Sequence, residues 1–162
     1  QLMGREYLQE LERDIMIYDV SLQTGNRALD VVLMEKGLFC KNHEIQWSCM
    51  VDGSRMNFMK AEDIYGIFGN ALDNAIEACE KNQKEKRIIC RIAREADEVN
   101  IFVENSIEQL VLAENQSLET TKDKKDQHGM GHLIVEEQVK RLGGMVEYYE
   151  DEMFCAHVYL PV

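Results

Sequence analysis

Residues 64–79, IYGIFGNALDNAIEAC, constrain this chain more than any other segment. Ile64, Phe68, Ala71, Ala75 and Cys79 recur at spacings of three and four, which puts them on one apolar stripe of an α-helix. Asn70, Asp73, Asn74 and Glu77 fall on a second, polar stripe by the same spacing. An asparagine inside a helix costs about half a kcal/mol relative to alanine, so two of them one turn apart need a reason. Two readings are open. The amides are satisfied at a helix edge, or they form a polar wall facing a ligand. Stacked amides can hold water or a cation through their oxygens and donate through their nitrogens.

The rest of the chain must supply a partner layer for that helix. At 162 residues it is long enough for one domain with a two-layer core. No apolar run approaches a membrane span and no signal peptide is visible. The chain opens on Gln1, which points to a piece of something longer. A formal net charge of -12 argues against nucleic-acid binding, which needs a basic face. It leaves room for an anionic small ligand wherever the local field is positive. Five cysteines without a CxxC pair, most at apolar positions, read as buried free thiols of a reducing compartment.

Residues 2–22 read as a helix with a short heptad seam of Leu8, Leu11, Ile15, Tyr18 and Leu22. The seam either packs on its own domain or ends a longer helix that dimerises. Thr24-Gly25-Asn26 interrupts the pattern. A second helix is expected over residues 27–38, with Ala28, Leu29, Val32 and Leu33 on its apolar face and Gly37 as its stop. Ile45, Trp47, Cys49 and Val51 alternate as a half-buried strand, closed by the turn Asp52-Gly53-Ser54. After the Asn-bearing helix comes a charged loop over residues 80–86. Two alternating runs around Ile88–Ala93 and Val99–Val103 predict an antiparallel hairpin across a polar turn at residues 95–98. Residues 106–127 lose periodicity, and the lysines of TTKDKKDQ (120–127) stand out in an acidic protein. A loop of this length is either functional or a solvated charged loop. Gly129-x-Gly131 opens a helix expected at about residues 132–142, ended by Gly143-Gly144. A last hairpin pairs residues 145–149 with 153–160. Five strands with three helices on one face make a two-layer α/β sandwich, preceded by the N-terminal helix.

Glycines that open a helix leave backbone N–H groups at the positive end of its dipole, which suits phosphate oxygens. GxG alone is common. Here it follows a lysine-bearing loop and an Asn-rich helix. With these motifs the chain resembles the GHKL ATP-binding superfamily (gyrase, heat-shock chaperone, histidine kinase and MutL). Within it the likeness is to the ATP-binding domain of quorum-sensing-type sensor histidine kinases. GNALDNAIEA (69–78) resembles the N box. FVENS (102–106) sits where the first glycine box falls, and TTKDKKDQHGMGHLIV (120–135) resembles the lid and second glycine box. TGNRALDVVLMEK (24–36), RLGGMV (141–146) and YLP (159–161) fit the same branch.

The resemblance implies a Bergerat ATP-binding fold over residues 24–162, with residues 1–23 as the end of a dimerisation helix and its connection. It implies ATP and Mg²⁺ as cofactors. Asn74, supported by Asn70, would coordinate Mg²⁺ bridging the phosphates, a role suited to oxygen ligands. Asn105 would accept a hydrogen bond from the adenine amino group, where most of the superfamily uses Asp. Lys122, with Lys124 or Lys125, would offset phosphate charge. His128, Gly129, Met130, Gly131, His132 and Leu133 would form the second glycine box, with Gly129 and Gly131 letting backbone approach the phosphates. Glu77 would border the nucleotide where many kinases carry a basic residue.

Three departures qualify the likeness. Superfamily hydrolases have a Glu where this chain has Asn70, which favours phosphotransfer over hydrolysis. Ser106 and Ile107 follow Asn105 in place of glycines. His132 replaces a usual Leu, and a structural role against the glycine turn is expected of it. No histidine here sits on a dimerisation helix, so the resemblance places the phosphoacceptor upstream of Gln1. It also implies upstream dimerisation helices, a homodimeric full-length kinase, a cognate response regulator, and a cytoplasmic domain of a membrane-anchored protein. The competing expectations are a nucleotide-binding regulatory module without transfer activity and a GHKL ATPase.

Overall fold

The computed structural model describes residues 23–112 and 130–162. The N-terminal helix and its heptad seam lie outside the described residues, as does the lysine-bearing loop. The elements run α1 (Arg27–Asn42), β1 (Gln46–Met50), a 3-10 turn (Gly53–Met56), α2 (Ala61–Glu80), β2 (Arg87–Glu95), β3 (Glu98–Ser106), α3 (Met130–Arg141), β4 (Met145–Glu150) and β5 (Met153–Pro161). The sheet has five strands in the order β1-β2-β3-β5-β4. Only β1 and β2 are parallel, as expected where α2 carries the chain across between them. The other pairs are antiparallel. The helices stand side by side against one face of the sheet. α1 packs on β1, α2 on β2 and β3, and α3 on β4 and β5, with α2 between its two neighbours. The expected two-layer sandwich of a mixed five-stranded sheet and three helices is what forms.

α2 is the spine of the core. Ile64, Phe68, Ala71, Ala75 and Cys79 are all buried, together with Ile67, Leu72 and Ile76. They meet Ile88 and Cys90 of β2 and Val99, Ile101 and Val103 of β3 in one cluster. A fully buried Phe, Leu or Ile contributes about 1.5–3 kcal/mol, so this stripe holds the two layers together.

Two helix ends differ from expectation. α1 does not stop at Gly37, which is buried within the helix. It continues until Cys40 has been carried into the core. It closes with His43 N–H bonded to the Phe39 and Cys40 carbonyls and Ile45 N–H to the Cys40 carbonyl at 2.8 Å. That is a Schellman closure whose left-handed position is held by Glu44 (φ 58°) rather than a glycine. α3 begins at Met130, two residues before the expected start, so Gly131 lies inside its first turn. The first hairpin is tighter than expected. Glu95 and Glu98 pair, leaving Ala96 and Asp97 as the turn, with Ala96 at φ 47°.

The first helix is fixed at its start by polar contacts. Asn26 caps α1 by accepting from Leu29 N–H at 2.9 Å, and its Nδ2 donates to Asn57 Oδ1 at 2.7 Å. Gly53 packs against Thr24 and donates to its carbonyl at 2.8 Å.

Candidate functional site

The polar stripe of α2 divides between the two neighbouring helices. Asp73 turns toward α1, where its carboxylate meets Lys36 Nζ at 2.7 Å. Burial disfavours the Lys36 ammonium, but hydrogen bonds and charge from Asp73 and Glu35 outweigh it and raise its pKa above the ordinary lysine value. Asn70 and Asn74 turn the other way, toward α3. Asn70 Nδ2 donates to Gln138 Oε1 at 3.4 Å. Asn74 lies against Gly131: a Cβ added there would collide with Asn74 Oδ1. The two asparagines therefore form a half-buried amide pair under the first turns of α3. Glu77, one turn further, is also half-buried. Expected to share one stripe, Asp73 and the two asparagines serve two different interfaces. A 100° step separates Asp73 from Asn74 on the helix wheel, enough to place them in different grooves when helices lie on both sides.

The N-terminus of α3, the positive end of its dipole, lies beside this pair. His132 is half-buried with its ring edge-on to Tyr148 at 5.2 Å and tilted to Phe154 at 5.9 Å. Its ring thus packs on side chains of β4 and β5. Leu133 is 55% exposed. Tyr148 donates to Glu136 at 2.8 Å, and burial together with that contact raises its pKa. Lys122, His128 and Gly129 lie outside the described residues, as do Lys124 and Lys125. Met130 opens α3.

Asn105 sits next to last on β3, buried, and paired across the sheet with Ile88 and Phe154. Its Nδ2 donates to the Ser106 carbonyl at 3.2 Å. The missing glycines after it are replaced by a lock. Buried Asn82 donates to the Ser106 carbonyl at 2.8 Å, to Ser106 Oγ at 3.2 Å and to the Glu85 carbonyl at 3.0 Å. Ser106 Oγ accepts from Arg87 N–H at 2.9 Å and donates to the Glu85 carbonyl at 3.0 Å. The strand end that carries Asn105 is thus fixed by side chains, without a flexible glycine turn. Asn82 and Gln138 were not singled out in the sequence, because each sits in a charged run whose exposure only the fold decides.

A hollow of about 360 Å³ lies on the α1 side of α2, lined by Glu35, Lys36, Leu38, Phe39, Asp73 and Ile76 among others. The Lys36–Asp73 ion pair borders it, and the asparagine pair is not part of it. Among the described residues no cluster of three or more His, Cys, Asp or Glu could hold a metal. No helix among them is long and apolar enough to cross a membrane. All five cysteines are free; Cys40, Cys79 and Cys90 are buried and Cys49 and Cys155 half-buried.

The sandwich of five strands and three helices belongs to a known class of domain. A family model described as the GHKL domain matches residues 59–161, and the chain belongs to that family. The catalytic domain of histidine kinase ThkA, in a nucleotide-free form, superposes with a TM-score of 0.65 at 16% identity, covering 85% of this chain and 92% of that one. The blue-light activated histidine kinase EL346 of Erythrobacter litoralis superposes with a TM-score of 0.55 at 15% identity, covering 83% of this chain and 39% of that one. At such identities these likenesses establish the histidine-kinase catalytic-domain fold alone. No curated protein sequence matches the chain.

Proposed function

We propose that the chain is the ATP-binding catalytic domain of a two-component sensor histidine kinase. It binds Mg-ATP and presents the γ-phosphate to a histidine on a dimerisation helix upstream of Gln1. The observation that carries this reading is the meeting of Asn74 with Gly131 at the N-terminus of α3, inside a GHKL fold.

Two half-buried amide oxygens suit Mg²⁺, a hard cation that takes oxygen ligands, keeps waters and shares phosphate oxygens. Bound there, it would neutralise phosphate charge. The remaining work falls to the chain's own groups. Asn74 and Asn70 present amide oxygens. The first turn of α3 offers N–H groups and a positive dipole end to phosphate oxygens. Asn105 accepts from the adenine amino group at a strand end held still by Asn82. Lys122 offsets phosphate charge, Gly129 and Gly131 of the second glycine box (128–133) let backbone approach the phosphates, and Glu77 borders them. Catalysis then rests on positioning and charge neutralisation rather than on a protein nucleophile. Residues 1–23 supply the connection to the dimerisation helices. The whole protein acts as a homodimer with a response regulator as its phosphate acceptor, and this domain stands on the cytoplasmic side of a membrane-anchored kinase.

Calorimetric titration with a non-hydrolysable ATP analogue tests the site. Binding that requires Mg²⁺ and is lost in Asn74→Ala supports it; a folded protein that binds no nucleotide refutes it. Adding back a segment with the upstream helices and finding phosphohistidine there tests the transfer. A second reading, a nucleotide-binding module without transfer, is favoured by the rigid Asn82–Ser106 lock in place of the glycines. It predicts nucleotide binding without phosphohistidine in that same longer protein.

A further inference from the structure

We infer that Gln138 is a positioning residue for the nucleotide site, an inference that rests on the reading just proposed. Its amide reaches from the third turn of α3 down onto α2. Oε1 accepts from Asn70 Nδ2 at 3.4 Å. Nε2 lies over Gly66, so close that a Cβ on residue 66 would collide with it. Four residues separate Gly66 from Asn70, one helical turn, so Gln138 spans a gap that only a glycine leaves open.

The consequence is chemical. An asparagine amide can flip, presenting either its oxygen or its nitrogen to a ligand. With Nδ2 committed to Gln138, Asn70 Oδ1 is the end left to face the cation and phosphate side beside Asn74. Gln138 touches neither nucleotide nor metal in this scheme. It selects the amide orientation in which Asn70 serves as an oxygen donor. It also accounts for Gly66 in a helix interior, where alanine would be the better helix former.

Two variants separate this role from simple packing. Gln138→Leu keeps the bulk and removes the acceptor. Gly66→Ala leaves both amides in the sequence but pushes Gln138 aside, while its higher helix propensity keeps the domain folded. The first readout is the side-chain amide of Asn70 in the nucleotide-free protein, followed by NMR hydrogen exchange. Slow exchange in the wild type is expected to become fast in both variants and to stay slow in Gln138→Glu, which keeps an acceptor. The second readout is the ratio of ATP-analogue affinities with and without Mg²⁺. Losing an interaction of this kind should lower that ratio about fivefold in both variants, with affinity in the absence of Mg²⁺ unchanged.

Retention of the wild-type ratio in both variants overturns the positioning role and leaves the nucleotide site standing. Equal exchange of the Asn70 amide in all four proteins overturns the contact itself. A wild type that shows the protected amide but binds no nucleotide refutes the site, and the role assigned to Gln138 falls with it.

Discussion

Gly131→Ala separates the fold from the site. The new Cβ would be placed against Asn74 Oδ1 and within 3.1 Å of Asn74 Cγ, and its three nearest neighbours from outside its own helix turn are all side-chain atoms of Asn74. The flexible partner must therefore move, and the Asn74 amide rotates away from the N-terminus of α3. The stability cost is small. Forcing a side chain off its rotamer costs about 0.5–1.5 kcal/mol. Replacing a helical glycine by alanine returns about 0.5–1 kcal/mol. The two nearly cancel, and the melting temperature should stay within about 4 °C of the wild type. Binding should not survive so well. A hydrogen-bond-type contact to a charged group is worth about 1.5–3 kcal/mol, so losing the Asn74 oxygen should weaken the Mg²⁺-dependent affinity about 10- to 150-fold. Thermal unfolding and calorimetric titration of the same preparation measure both quantities. A variant that folds normally and binds the ATP analogue as tightly as the wild type would refute the placement of Asn74 in the site.

Asn82→Ala removes two hydrogen bonds to Ser106 at the end of β3 and one to the Glu85 carbonyl within the loop after α2. A loss of about 2–3 kcal/mol in urea unfolding is expected, together with weaker nucleotide binding through Asn105; unchanged stability would mean the lock is redundant. Glu44→Gly relieves the left-handed residue at the end of α1 and should stabilise by about 1 kcal/mol, read as a higher urea midpoint with an unchanged slope. On the outer sheet face His157 is buried, stacked between Phe102 and Tyr159, with Nε2 2.8 Å from Asn100 Oδ1. Burial lowers its pKa below the usual histidine value, against Glu147 and Glu98, which raise it, and with Arg91, which lowers it further. The folded state then favours the neutral ring. Its contribution is complete above the unfolded pKa and fades as pH falls through the folded one. Wild-type stability should thus drop between pH 7 and 5 more than that of His157→Gln; parallel curves would contradict this.

The sequence by itself determined the elements and the motif chemistry. Period-two and period-3.6 hydrophobicity placed β1 to β5, α1 and α2, because burial on one face requires that spacing whatever the neighbours are. It also marked Asn70 and Asn74, since asparagines in a helix interior disagree with local preference, whereas Asn105 was marked only by the family resemblance. Tertiary structure decided the rest. Gly37 reads as a stop only until Cys40 is seen to need a place in the core, and Glu44 could not be read as a left-handed residue from its own preferences. The polar stripe of α2 is continuous on paper. It divides in the fold because α1 claims Asp73 through Lys36 while α3 claims the two asparagines. Gln138 and Asn82 are ordinary polar residues in charged runs until α3 is laid over Gly66 and the loop after α2 is folded against Ser106. Local spacing fixes which face a residue occupies. Only the packing of one element on another fixes what that face meets.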